Sequence, residues 1–304
     1  MRDTFQKELI KLAKKNKDLF LLTGDLGYGV FDEYEKKFPK RYINVGVAEQ
    51  NLIGISTGLA LEGKTVIAYS IANFLVLRCL EQIRNDAVYH NLNINLVSSG
   101  GGYTYGVLGM SHHATEDLSV LNSIPGISIA APSTKWETKK AFEIFMNVKG
   151  ATYIRLEKNG SDLLPLKNNY RLGELIKYQS GNNKLAIVCL GGVFVECFKA
   201  VKNLENKKIK PSLYTLSSLK PLNKKKILST LRNYDSILTV EENNYIGGLG
   251  STISHLIHTD NKKIKFFSLS TQDTILKIVG DQNFLRKKVG IDCASIQKKI
   301  LKIY

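Results

Sequence analysis

Arg41-Tyr42-Ile43-Asn44, Val45-Gly46-Val47-Ala48-Glu49-Gln50-Asn51 and Leu52-Ile53-Gly54-Ile55-Ser56-Thr57-Gly58-Leu59-Ala60 follow one another without a break. A short β-like run enters this stretch, and a run of small and apolar residues leaves it. Glu49 therefore stands at a strand-to-helix junction, at the mouth of a helix that reads as buried. Gly54 and Gly58 fall on one face of that helix, where another backbone can approach closely. A carboxylate in this position has two readings. It caps the helix, where negative charge is favoured by roughly 0.3–1 kcal/mol, or it is a desolvated acid or base. On position alone the cap is the commoner outcome.

Working outward, strands alternate with helices along the whole chain. Apolar β-runs fall at 19–23, 65–68, 94–98, 127–130 and 152–155, with helical patterns at 4–15, 30–38, 74–89 and 134–148. Such alternation implies a parallel sheet covered on both faces. Residues 156–182 lose the periodicity. A second alternation follows, with strands at 185–190, 212–215, 236–240 and 265–269 and helices near 194–204, 224–231, 248–258 and from 291. The expected fold is α/β, two α/β domains with mainly parallel sheets: 1–160, a linker at 161–182, and 183–304. The 304 residues suit two domains of about 150 each. Gly24-Asp25-Leu26-Gly27-Tyr28-Gly29 ends the first strand as a turn. Ser99 to Gly109 forms a Gly-rich loop that reads as long and flexible.

The net charge is +16, mostly lysine in solvated-looking runs, with no aromatic-interleaved basic stripe. No nucleic-acid partner is expected. There is no apolar run of 18 residues, so no membrane span is expected. The four cysteines form no CxxC pair and read as free thiols of a cytoplasmic protein. His255 and His258 lack a third ligand, so no metal site is expected.

Four motifs, in order and spacing, carry a resemblance: Gly46-Val47-Ala48-Glu49-Gln50-Asn51, Glu81-Gln82-Ile83-Arg84-Asn85, Gly109-Met110-Ser111-His112, and Val240-Glu241-Glu242 with Gly247-Gly248-Leu249-Gly250. Together they resemble the C-terminal half of transketolases, and more closely the C-terminal subunit of split, two-gene transketolases. The resemblance spans essentially the whole chain. It implies a thiamine diphosphate pyrimidine-binding domain followed by a transketolase C-terminal domain. In this family a glutamate hydrogen-bonds the cofactor's aminopyrimidine and so promotes loss of the thiazolium proton. Glu49 matches that residue, which needs a low-dielectric pocket.

By the same resemblance, Phe74 packs on the pyrimidine. Ile71 falls where many members carry another phenylalanine, and Asp25 sits at the site edge. His112 matches a substrate-contacting histidine, and His113 stands beside it as a further acid–base candidate. Glu116, four residues on, is placed to orient His112. Arg2 and Lys158 lie near two phosphate-binding arginine positions. Leu108 replaces a common acidic residue, and Gly100 replaces a phosphate-binding histidine. These departures point to a modified, deoxy or nucleotide-linked sugar.

The family's diphosphate and Mg²⁺ motif, GDG with a downstream Asn pair, does not occur. Gly24-Asp25-Leu26 lacks the third glycine and Asn51 has no adjacent asparagine. The resemblance therefore implies that a partner, the N-terminal diphosphate-binding subunit, holds most of the thiamine diphosphate and Mg²⁺ in an α2β2 enzyme. The expected activity is transfer of a two-carbon ketol unit from a ketose to an aldose. The alternatives are a 2-oxoacid-decarboxylating subunit and a non-catalytic assembly subunit. For Glu241 and Glu242 the plain reading is a strand end and a helix entry.

Overall fold

The computed structural model describes every residue except 28 and 260–262, and carries two sheets. In chain order the first strands are β1 (Leu19–Thr23), β2 (Tyr42–Asn44), β3 (Thr65–Ile71), β4 (Ile94–Ser99), β5 (Ser128–Ala130) and β6 (Thr152–Leu156). Then come β7 (Ile176–Gln179), β8 (Leu185–Leu190), β9 (Ser212–Thr215), β10 (Ser218–Lys220), β11 (Ser236–Asn244) and β12 (Lys265–Thr271). The seven-stranded sheet runs β10-β5-β6-β4-β3-β1-β2 and the five-stranded sheet β12-β11-β8-β9-β7. Pairing is parallel except at β10–β5 and β7–β9, which are antiparallel.

The central strands β4, β6 and β8 are buried at every residue. That burial on both faces is why they read as continuous apolar runs rather than alternating ones. One apolar cluster runs from Leu22 and Leu52 in the first sheet's layers to Leu249 and Ile253 in the second's, so the two sheets share core.

Several local expectations are revised. Residues 176–179, inside the expected linker, form β7 of the second sheet. The helix Gln282–Val289 has no counterpart among the expected elements, although Asp281 caps it through the Phe284 N–H and Gly290 ends it in left-handed conformation. The expected helix over 74–89 is three pieces: Ala72–Val76, Leu80–Gln82 and a π-helical Ile83–Val88. The chain leaves helical geometry at Cys79, at φ −110° and ψ 16°. Such irregular turns re-aim side chains. The helix Glu49–Leu61 is only half buried. Gly54 and Gly58 are both exposed, and nothing outside their own helix's backbone lies within 4 Å of a Cβ built on either, among the described residues. The close approach expected there does not come from within the chain.

The Gly-rich loop after β4 is not free. Gly102 bridges Ala114, and Gly101 and Gly102 are buried against Arg155 and Glu242. Glu242, at 0% exposure, accepts the Tyr103 N–H at 2.8 Å, the Gln282 amide at 3.1 Å and Arg286 Nε at 2.8 Å. Glu157 accepts the Thr104 hydroxyl at 2.6 Å. Behind this clasp, Asp117 binds Arg155 at 3.0 Å and the Tyr153 hydroxyl at 2.6 Å, all buried.

Removing one partner of such a buried pair leaves an uncompensated charge, at a cost of about 3–5 kcal/mol. Arg286→Met is therefore expected to lower the thermal midpoint by roughly 5–10 °C and to open residues 100–109 to protease. The double variant with Glu242→Gln should cost less than the two single changes summed. Calorimetry and timed proteolysis check both points. An unchanged midpoint in Arg286→Met contradicts the role of the clasp.

Candidate functional site

The end of β2 and the turn after β1 deliver Glu49. Asn44 accepts the Asp25 N–H at 2.9 Å and the Gly46 N–H at 3.0 Å, and its amide donates to the Asp25 carboxylate at 3.2 Å. Asp25, at φ 56°, thus orders the entrance to the junction. Tyr28, part of the same expected turn, lies outside the described residues.

Glu49 is the first residue of its helix and 1% exposed. Its carboxylate does not turn back onto its own helix. Oε1 accepts the Ser70 hydroxyl of β3 at 3.4 Å, and Oε2 accepts Arg78 Nη1. The Arg78 guanidinium stands 4.9 Å from the centroid of the Phe74 ring. The other reach of Phe74 meets His112, ring centroids 5.0 Å apart and 68° between planes. Asn73 donates to the Ser111 carbonyl, and His112 Nδ1 lies 3.0 Å from the Ser111 hydroxyl. Glu49, Arg78, Phe74 and His112 therefore form one chain of contacts across three elements. Ile71 closes β3 and is half-buried at the N-terminus of Ala72–Val76.

The two adjacent histidines part company. His113 is 6% exposed and packs edge-on to Tyr103 at 5.0 Å, in the seam between the sheets. Burial pulls its imidazole below the ordinary range, against the opposing pull of Glu242. Glu116 does not pair with His112; it accepts the Thr115 hydroxyl at 2.7 Å.

Arg2 opens the N-terminal helix half-buried, with Nε bonded to nothing among the described residues. Lys158 is exposed on a cleft of about 570 Å³ along the seam, which Met1, Glu157 and Arg286 also line. That cleft shares no residue with the Glu49 group. Leu108 is 54% exposed in a short turn. At Gly100 a side chain would collide with the Tyr105 ring, whose hydroxyl lies 3.1 Å from the Ser99 hydroxyl. Tyr105 thus fills the volume that a residue at 100 would take.

Two contributors were missed in the sequence, Ser70 and Arg78. The signal for Arg78 was there: it is the one charged residue in the run from Ser70 to Leu80. A lone arginine in an apolar run implies an anion waiting inside. Among the described residues no group of three or more His, Cys, Asp or Glu side chains could hold a metal ion, and no helix is long and apolar enough to cross a membrane.

The family model for the transketolase pyrimidine-binding domain matches residues 1–161, and that for the transketolase C-terminal domain matches 175–296. The chain is 32% identical over 264 residues to a subunit of the apulose-4-phosphate transketolase of Actinobacillus succinogenes, covering 86% of this chain and 84% of that one. It is 27% identical over 298 residues to the 6-deoxy-6-sulfo-D-fructose transketolase subunit SqwH of a Clostridium species, covering 97% and 92%. Among solved structures it matches a split-gene transketolase in an inactive β4 tetramer, with TM-score 0.89, 27% identity, and coverage of 99% and 97%.

Of the plain reading of Glu241 and Glu242, the helix entry holds for Glu241, while both residues lie within β11 rather than at its end. Glu241 accepts the Leu249 and Gly250 N–H groups, each at 2.7 Å, at a helix entry. Burial raises its carboxyl from the ordinary 4.5 to about 7. A raised folded-state value means the folded chain keeps a proton that the unfolded chain has lost. Its contribution is fully present below pH 4.5 and is lost as pH rises through about 7. Urea midpoints measured across that window should fall more steeply for the native chain than for Glu241→Gln. Parallel slopes would count against this assignment.

Proposed function

The chain belongs to the transketolase family, and on that premise we propose that it is the pyrimidine-binding and C-terminal-domain subunit of a split, thiamine diphosphate-dependent enzyme that transfers a two-carbon ketol unit between specialised sugars. The observation that carries the reading is the buried Glu49 carboxylate, with the Phe74 ring beside it and His112 beyond. Relatives of nearly the same length bear the names of transketolase subunits for apulose 4-phosphate and 6-deoxy-6-sulfofructose, which supports both the split and the specialised sugar.

The residues fit an aminopyrimidine. Such a ring needs a buried acceptor for its edge and an aromatic surface for its face. Arg78, itself flat and rich in donors, already satisfies both contacts. Bound there, thiamine diphosphate would supply a nucleophilic carbon for two-carbon transfer from a ketose to an aldehyde. Glu49 shares a proton with the ring nitrogen, in a pocket dry enough to make sharing favourable. Phe74 packs against the ring and keeps water out. With Nδ1 engaged by Ser111, His112 has Nε2 left to exchange a proton with the sugar.

In this reading residues 1–160 carry the pyrimidine site, the C-terminal domain opens with β7 at Ile176–Gln179, and the stretch between them joins the two. Asp25 and Ile71 bound the cofactor, while Arg2, Lys158 and Leu108 border the sugar. The diphosphate and its Mg²⁺ fall to a partner subunit in an α2β2 assembly. An open face suits that partner: Val47 is 74%, Leu61 62% and Leu77 42% exposed around the uncovered Gly54 and Gly58. Small residues there admit a close-packed helix.

Three outcomes are expected. The chain alone, given thiamine diphosphate and Mg²⁺, shows no turnover; activity from it would overturn the split. Glu49→Ala assembles with the partner but loses about 10²–10⁴-fold in kcat, checked by gel filtration and a ketol-transfer assay. Xylulose 5-phosphate with ribose 5-phosphate is a poor substrate pair; full activity on it would remove the specialised-sugar part of the proposal.

A further inference from the structure

Arg78 makes two contacts that a cofactor pyrimidine would also need. Its Nη1 donates to Glu49 Oε2, and its guanidinium lies over the Phe74 ring at 4.9 Å. A guanidinium is planar, carries its donors in a fork and stacks on aromatic faces. Two flat donors cannot hold the same carboxylate edge and the same ring face at once.

We propose, resting on the functional reading above, that Arg78 is a displaceable occupant of the pyrimidine pocket: it neutralises Glu49 in the cofactor-free chain and must swing out for the aminopyrimidine to enter. The two ends of the ion pair differ in a way that suits this role. Glu49 is 1% exposed in its side chain and Arg78 45%. The carboxylate is fixed, and the cation reaches it from the solvent side. A buried carboxylate left alone is costly, so the pocket keeps a cation until something better arrives. The half-exposed partner keeps the pair weak enough to break.

The backbone leaves helical geometry at Cys79, the next residue, so the guanidinium is not held by a regular helix on both sides. A groove of about 410 Å³, lined by Arg78 together with Gln50, Leu80 and Glu81, gives the side chain somewhere to go. Glu81 offers it a second carboxylate there. The switch therefore has two arrangements, Arg78 on Glu49 and Arg78 on Glu81. Cofactor affinity is reduced by the fraction of chains in the first.

The test is binding rather than turnover. The complex with the diphosphate-binding partner is titrated with thiamine diphosphate at fixed Mg²⁺, and the dissociation constant is read by calorimetry. Arg78→Met should bind roughly three- to tenfold more tightly than the native complex. Arg78→Lys, which keeps the charge without the fork, should fall between them. Glu81→Gln should bind more weakly, because the open arrangement loses its anchor. A merely structural arginine gives the opposite sign, with weaker binding in Arg78→Met. Binding by Arg78→Met that is equal to or weaker than native overturns the gate and leaves the functional reading standing. If that variant does not assemble, Arg78→Lys and Glu81→Gln decide by the same signs. A native complex that binds no thiamine diphosphate overturns the functional reading itself.

Discussion

A carboxylate with no exposed surface has to be satisfied from every side, and Glu242 meets that demand by drawing on both halves of the chain. The loop after the fourth strand brings the Tyr103 N–H, and the late helix Gln282–Val289 brings Arg286 and, at its first residue, Gln282. The glycines of that loop follow from the same constraint. At Gly101 and Gly102 the backbone presses so close to Arg155 and Glu242 that a Cβ would have no room. Once the loop is pinned, its exit is fixed. The short turn Met110–His112 sets one imidazole against Phe74, and His113 sends the next into the seam. A residue of the C-terminal half thus sets where a histidine of the N-terminal half stands.

The opposite end of the site is built on an imbalance. Glu49 is sealed by the turn at Gly24, by Ser70 of β3 and by its own helix, and the cation that answers it arrives from the solvent-facing side. Beside it the helix Glu49–Leu61 presents glycines and apolar side chains that nothing in the chain covers. The dry wall of the pocket and its open wall are parts of one design. The same helix that buries the carboxylate at its first turn leaves its outer face for another surface.

Much of this could be read from residue patterns, because strands buried on both faces write continuous apolar runs, as in Leu19–Thr23 and Leu185–Leu190. The junction at Glu49 was legible for the same reason. What escaped was set by tertiary contact. Ser218-Leu219-Lys220 is three residues long and has no pattern of its own, and only its edge position makes it a strand. Ile176–Gln179 is too short and polar to stand out. The broken helix over 72–88 has an apolar period throughout, so nothing in its pattern marks the break at Cys79. Adjacency in sequence could not tell that His112 and His113 face different ways. The Asp281 cap and the Gly290 stop were visible and bracket a real helix.

The pairing of β10 with β5 has a consequence for how the chain is made. The outer edge of the first sheet is completed by residues 218–220, far beyond the end of β6 at residue 156. On the ribosome, the first sheet emerges with β5 uncovered, its backbone donors and acceptors unpaired. It stays so through the synthesis of three further strands of the second sheet's half. The nascent first half is thus an open-edged intermediate that waits on its own continuation, and the interval of translation between the two strands is the period in which a stray strand could take the place of β10.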